Sequence, residues 1–187
     1  MRICVFCGSS STSVQAFTDV AAEVGASLAR RGVGVVYGGA SVGTMGALAD
    51  AALASGGEVV GVIPRSMTAR EVAHGGLTDL HVVEGMHERK ALMNALSEGF
   101  MALPGGAGTF DELFEAWTWR NIDLHRKPVA VLNADGFYDP LLRQIERMQR
   151  DGFLREDHRA TLTTGTEAEE LLDRVIADAG GTRPGAG

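Results

Sequence analysis

Phe100-Met101-Ala102-Leu103-Pro104-Gly105-Gly106-Ala107-Gly108-Thr109-Phe110-Asp111-Glu112 passes from an apolar run through a glycine-rich turn into the start of a helical pattern. The run at 100–103 holds no polar residue, as expected of a strand covered on both faces; such strands belong to parallel sheets flanked by helices. Three glycines in the turn permit positive φ angles and close approach of a ligand to the backbone. The helix that follows, expected over 109–124, offers N–H groups without intrahelical partners and the positive end of its dipole, a combination suited to a phosphate. Thr109 and Glu112 also fit a capping box, which stabilises a helix start and requires no function. A capping box does not explain Gly105, Gly106 and Gly108 together, so the loop is read as a phosphate site.

Outward from this segment the same alternation repeats. Apolar runs at 3–6, 33–37, 59–63, 80–83 and 129–132 join 100–103 as candidate strands. Helical patterns occupy 14–30, 43–54, 86–97, 140–150 and 167–179. Strands and helices in alternation imply an α/β fold: a doubly wound parallel sheet with right-handed crossovers and helices on both faces. Asp139-Pro140 reads as an N-cap followed by proline at the first helical position. Gly32 and Gly56-Gly57 stand where helices should stop. One domain over 1–179 and a flexible tail over 180–187 are expected.

In a parallel sheet all the strands' carboxyl ends share one edge, and ligands bind there. Four loops that together concentrate glycines, hydroxyls and a few charges follow four of the candidate strands: Cys7 to Ser11, Gly38 to Gly46, Glu84 to Lys90, and Pro104 to Glu112. The connectors of the opposite edge, such as Arg31-Gly32, are plain. In the third loop Arg89 lies on a helical stripe with Leu92 and Leu96 and so faces inward at the helix's amino end. A cation there opposes the helix dipole. A bound phosphate, Glu112 or both should compensate it, whereas Glu88 reads as a solvated surface charge. The Gly38–Gly46 stretch does not fit G-x-G-x-x-G, and it suits a tight strand–helix turn as well as a backbone wall for a nucleotide.

Composition narrows the function. The chain has 187 residues, 45% of them hydrophobic, and 17 Lys+Arg against 24 Asp+Glu, a formal charge of −7. That balance argues against a broad grip on nucleic acid or anionic lipid, so an anion must be held locally. No stretch approaches the roughly 18 apolar residues of a membrane span. With two cysteines and no signal segment, a soluble cytoplasmic protein is expected. Cys4-x-x-Cys7 has redox spacing, but Cys4 lies inside a strand rather than at a helix start. There is no zinc-site spacing, no G-K-[ST] P-loop and no nucleophile elbow. Neither a metal nor a cofactor is expected. A pyridoxal-phosphate decarboxylase would need a Schiff-base lysine, and only Lys90 and Lys127 exist, Lys127 directly before Pro128.

Met86-His87-Glu88-Arg89-Lys90-Ala91-Leu92-Met93 together with the PGGAGTFDE loop resembles the cytokinin-activating phosphoribohydrolase family, the Lonely Guy proteins, often mislabelled lysine decarboxylase. The similarity extends from Ile3 to about Ile176 and takes in the opening VFCGSS and TWRNIDLHRKPVAVLN. It implies a Rossmann-like fold and hydrolysis of the N-glycosidic bond of N6-modified adenosine 5′-monophosphates to a free base and ribose 5-phosphate. Arg89 and Glu112 match the family's catalytic pair, Gly106, Ala107, Gly108 and Thr109 its phosphate loop, and Glu71, Lys90 and Thr118 further substrate contacts. Gly8, Ser9, Gly38, Gly39, Ser41, Met86, Gly105, Phe110 and Asp111 are expected to border the nucleotide. The resemblance also implies a small-molecule nucleotide substrate (AMP or N6-isopentenyl-AMP) and a homodimer with active sites near the subunit interface. The chain departs from the pattern at Ala40, where a third glycine is common, and at Asp111, where a glutamate is common. Asn121 and Asp123 replace a usual Gln and Gly. A nucleotide- or molybdenum-cofactor-binding protein of the same fold that does not cleave is the alternative.

Overall fold

The computed structural model describes residues 1–68 and 73–181. Seven strands form one sheet in the order β4-β3-β2-β1-β5-β6-β7, every neighbouring pair parallel. They are β1 (Arg2–Phe6), β2 (Gly34–Tyr37), β3 (Val59–Pro64), β4 (Asp79–Val83), β5 (Gly99–Ala102), β6 (Val129–Leu132) and β7 (Leu162–Gly165). The helices are α1 (Gln15–Arg30), α2 (Gly43–Ala54), α3 (Met86–Ala95), α4 (Ala107–Asn121), α5 (Asp139–Arg150), α6 (Glu156–Ala160) and α7 (Ala168–Gly181).

The doubly wound α/β arrangement follows from the strand sequences. In β2, β3, β5 and β6 every residue is buried, as apolar runs covered on both faces must be. Alternate residues of each strand feed two cores. Ile3, Val5, Val35, Met101 and Leu103 pack with α1, α2 and α7. Cys4, Phe6, Val36, Phe100 and Ala102 pack with residues of α3, α4 and α5 on the other face. Helices α1 and α2 approach closely at Gly25, where a Cβ would stand 2.2 Å from the Leu48 carbonyl oxygen.

Six strands and six helices lie where the sequence places them. β7 and α6 do not come from the pattern: Leu162-Thr163-Thr164-Gly165 is an edge strand too polar to show as a buried run. The fifth helix begins one residue early, with Asp139 as its first residue and Tyr138 as the N-cap, because the Asp139 carboxylate accepts a bond from Asn133 Nδ2 at 2.8 Å rather than capping. Gly32 (φ 67°) and Gly56 (φ 77°) end their helices in the left-handed conformation. At the carboxyl end α7 continues through Gly180 and Gly181, two residues expected in the tail; 182–187 lie outside the described residues. Among the described residues no helix is long and apolar enough to cross a membrane.

Candidate active site

The chain runs outward from β1 to β4 and then returns to β5 on β1's other side, so the strand order reverses between β1 and β5. Crevices at such reversals receive ligands. The loop after β1 is held down on α2: the Gly8 carbonyl accepts from Met45 N–H and from the Thr44 hydroxyl, both at 3.0 Å, and Gly8 N–H donates to Thr44 Oγ1 at 2.8 Å. This approach needs Gly43 (φ 64°), where a Cβ would meet the Ser10 carbonyl oxygen at 2.6 Å. The amino end of α2 is thereby occupied by protein.

The amino end of α4 is not. Its N-cap is Gly106, with no side-chain cap, and Gly106, Ala107 and Gly108 are exposed. Thr109 is a residue inside the helix, not its N-cap, so the capping box does not form. None of Gly105, Gly106 and Gly108 has a positive φ, contrary to expectation; the three glycines divide by what surrounds them. A Cβ at Gly105 would stand 2.1 Å from Thr109 Oγ1, whereas one at Gly106 or Gly108 would meet nothing within 4 Å. Packing therefore explains Gly105. Open space in front of a helix amino terminus is what distinguishes the other two.

Arg89 lies on α3 and Glu112 on α4, and their side chains are 5% and 4% exposed with Arg89 Nη1 3.4 Å from Glu112 Oε1. The inward stripe read from Leu92 and Leu96 thus puts Arg89 where expected. Its Nε donates to the Val62 carbonyl at the end of β3 at 3.1 Å, and Nη1 meets the Met86 sulfur at 3.8 Å. Among the described residues its buried Nη2 has no hydrogen-bond partner, and neither has Thr109 Oγ1. Two orphaned polar atoms in one place are costly unless something else binds them. Beside them opens a cleft of about 320 Å³ bordered by Cys7, Gly8, Ser9, Ser10, Met45, Met67, Met86, Arg89, Gly106, Gly108, Thr109 and Glu112. Its size lies within the usual range for ligand pockets.

Other expected residues stand elsewhere. Lys90 Nζ reaches back to α4, donating to Asp111 Oδ2 at 3.1 Å and Glu115 Oε2 at 2.7 Å, outside the cleft. Burial would lower the Lys90 pKa, but these two carboxylates raise it on balance. Phe110, Asp111 and Thr118 border a groove on the outer face of α4 with Phe114, Glu115 and Trp119. Gly38, Gly39 and Ser41 are not in the cleft's lining. Gly38 instead makes room for Arg89, since a Cβ there would stand 2.2 Å from Nη2. Glu71 lies outside the described residues. Met45 and Met67 border the cleft without having been expected; Met45 sits inside the second glycine loop, but nothing in the sequence marks Met67.

The departures at 121 and 123 fall at the far end of α4. Thr161 Oγ1 donates to Asn121 Oδ1 at 2.8 Å and accepts from Trp117 Nε1 at 2.9 Å, tying α4 to the junction of α6 and β7. Asp123 has φ 60°, a conformation glycine takes freely and aspartate tolerates. Cys4 and Cys7 are buried free thiols. Burial pushes the Cys4 pKa well up and that of Cys7 to about 12, so neither is a reactive thiolate at neutral pH.

Residues 45–175 match the sequence model of a family described as possible lysine decarboxylase. The chain is 48% identical over 174 residues to the cytokinin riboside 5′-monophosphate phosphoribohydrolase of Rhodococcoides fascians, covering 92% of this chain and 88% of the relative. It is 45% identical over 171 residues to the enzyme of that name, LOG, of Oryza sativa subsp. japonica, covering 91% and 71%. Among solved structures it resembles the molybdenum cofactor carrier protein of Chlamydomonas reinhardtii with a TM-score of 0.71, over 94% of this chain and 98% of that one. At 19% identity that likeness speaks for the fold alone.

Proposed function

The chain belongs to the family of cytokinin riboside 5′-monophosphate phosphoribohydrolases, the same family whose model carries the decarboxylase description, and from that membership we propose that it hydrolyses the N-glycosidic bond of adenosine 5′-monophosphates, with or without an N6 substituent. The products are the free base and ribose 5-phosphate. The observation that carries this reading is the buried Arg89–Glu112 pair beside an uncapped, glycine-lined helix start.

The free N–H groups of α4's first turn, with Gly106 and Gly108 leaving space in front of them, hold the 5′-phosphate. That anchors the ribose with C1′ toward Glu112. Cleavage breaks the C1′–N9 bond, and its electron pair leaves with the base while positive charge builds on the sugar. The Glu112 carboxylate stabilises that charge and orients the attacking water, whose oxygen joins C1′; the water's proton balances the departing base. Arg89 holds the carboxylate in place, and its Nη2, which has no partner among the described residues, faces the substrate. Fixing the remote phosphate contributes orientation at the reacting carbon.

Incubating the protein with AMP and with N6-isopentenyl-AMP, and following free base and ribose 5-phosphate, tests the reading. Release of neither product would refute it. A lysine decarboxylase is disfavoured by the position of both lysines: Lys90 is held by two carboxylates, and Lys127 Nζ donates to the Asn94 carbonyl at 2.6 Å and Oδ1 at 2.8 Å. A homodimer is part of the proposal, supported by exposed Ile122 and Leu124 beyond α4 and by the groove containing Phe114 and Trp119. Light scattering should give twice the 19.7 kDa chain mass. A cytoplasmic setting accords with the two unpaired, buried cysteines.

A further inference from the structure

We propose, on the basis of the phosphoribohydrolase reading, that Met67 and Met86 form the wall that receives the nucleobase and its N6 substituent, and that they set the preference between alkylated and plain adenine nucleotides. Two hollows flank the glycine loop. One, of about 250 Å³, runs past Val14, Phe17 and Phe137 and is not bordered by Arg89 or Glu112. The base is bonded directly to C1′, which must lie beside Glu112, so the base stays in the other hollow, the cleft of about 320 Å³.

Within that cleft the lining changes character from one side to the other. The side after β1 and β5 is built mainly of glycine, serine and threonine, with Cys7 and Glu112; the side after β3 and β4 is built of Met67, Met86 and the buried Arg89, so its more accessible lining is the two thioethers. With the phosphate at the α4 start, after β5, the base points toward the methionines. Met45 is buried and packs over Gly38, so it forms floor rather than rim. Met86 is the first residue of α3 and is 39% exposed, and Met67 is partly exposed in the short turn after β3. Little of the core depends on them. Flexible, polarisable thioethers pack against an aromatic base and reshape around substituents of different size, as a cleft admitting both plain and N6-alkylated adenines requires.

The test is the ratio of kcat/KM on N6-isopentenyl-AMP to that on AMP, in the wild type and in Met67→Ala, Met86→Ala and Met86→Leu. Removing apolar wall should lower that ratio about 10-fold in each alanine variant, the lower end of what small changes in an apolar pocket produce, while Met86→Leu stays near the wild type. The ratio is the readout because Met86 also touches Arg89, and its loss slows both substrates together. An unchanged ratio in both alanine variants overturns the assignment and leaves the hydrolase reading standing. Calorimetric binding of N6-isopentenyladenine and of adenine examines the wall without turnover. The alkylated base should lose about 10-fold in affinity relative to adenine in the alanine variants, and equal losses overturn the proposal even in a protein that releases no base. Should Met86→Ala fail to fold, Met67→Ala, which lacks the contact with Arg89, carries the test.

Discussion

Two cation–carboxylate bridges join α3 to α4 at adjacent positions, and they differ in what they leave undone. Lys90 meets both Asp111 and Glu115 at hydrogen-bond distance near the outer surface. Arg89, one residue earlier, is almost wholly buried and meets Glu112 at 3.4 Å, and its Nη2 has no partner among the described residues. The first bridge has satisfied its cation and works as a strut. The second retains buried polar capacity that no described residue uses, which is how a candidate site differs from a brace.

Glu112→Gln probes that difference most severely. It should lower kcat by about 10²–10⁴, the range for losing an acid–base group, while circular dichroism shows the fold retained; wild-type turnover would reduce the inner bridge to another strut. Arg89→Ala should lower kcat/KM by about 10²-fold or more and also lower the unfolding midpoint, since removing one partner of a buried pair leaves the other uncompensated, at about 3–5 kcal/mol. Gly108→Ala should raise KM about 10-fold, as loss of about 1.4 kcal/mol of phosphate binding would, with little change in thermal stability. Gly105→Ala should instead unfold earlier, because its Cβ meets Thr109. Lys90→Met should change kcat/KM only a few-fold and stability by about 1 kcal/mol, since its aliphatic stem is kept and both carboxylates it leaves behind, 58% and 25% exposed, still reach water; a large KM effect would move Lys90 into the substrate's reach.

An effect on stability with none expected on turnover lies away from both bridges. Burial first, then the charge of Lys127, pull the pKa of His125 down from 6.5 to about 4. Between those values the unfolded chain binds a proton that the folded protein refuses, so stability falls as pH drops through that window and is unaffected above it. His125→Phe should flatten this slope in pH-dependent thermal unfolding.

The sheet was legible because its inner strands are apolar on both faces, and Arg89 because its spacing to Leu92 and Leu96 fixed its face. Glu112 was ambiguous: Thr109-x-x-Glu112 has capping-box spacing, and only the start of α4 at Ala107 shows that the threonine lies inside the helix. Asp111, Phe110 and Thr118 sit close to the glycine loop or to Glu112 in the chain, yet helix geometry turns them to α4's other face. Met67 was invisible because a methionine after a strand carries no periodic or spacing signal. β7 escaped because two threonines at a sheet edge look the same as a loop.

Gly38 does not itself border the cleft, yet it lies beneath two residues that do: a Cβ there would stand 2.2 Å from Arg89 Nη2 and 2.7 Å from the Met45 methyl carbon. Replacing its hydrogen by a methyl group would push the guanidinium and the Met45 thioether aside, so an inherited change at this position would disturb the site from behind. A survey of natural variants that ranked harm by distance from bound nucleotide would pass over it.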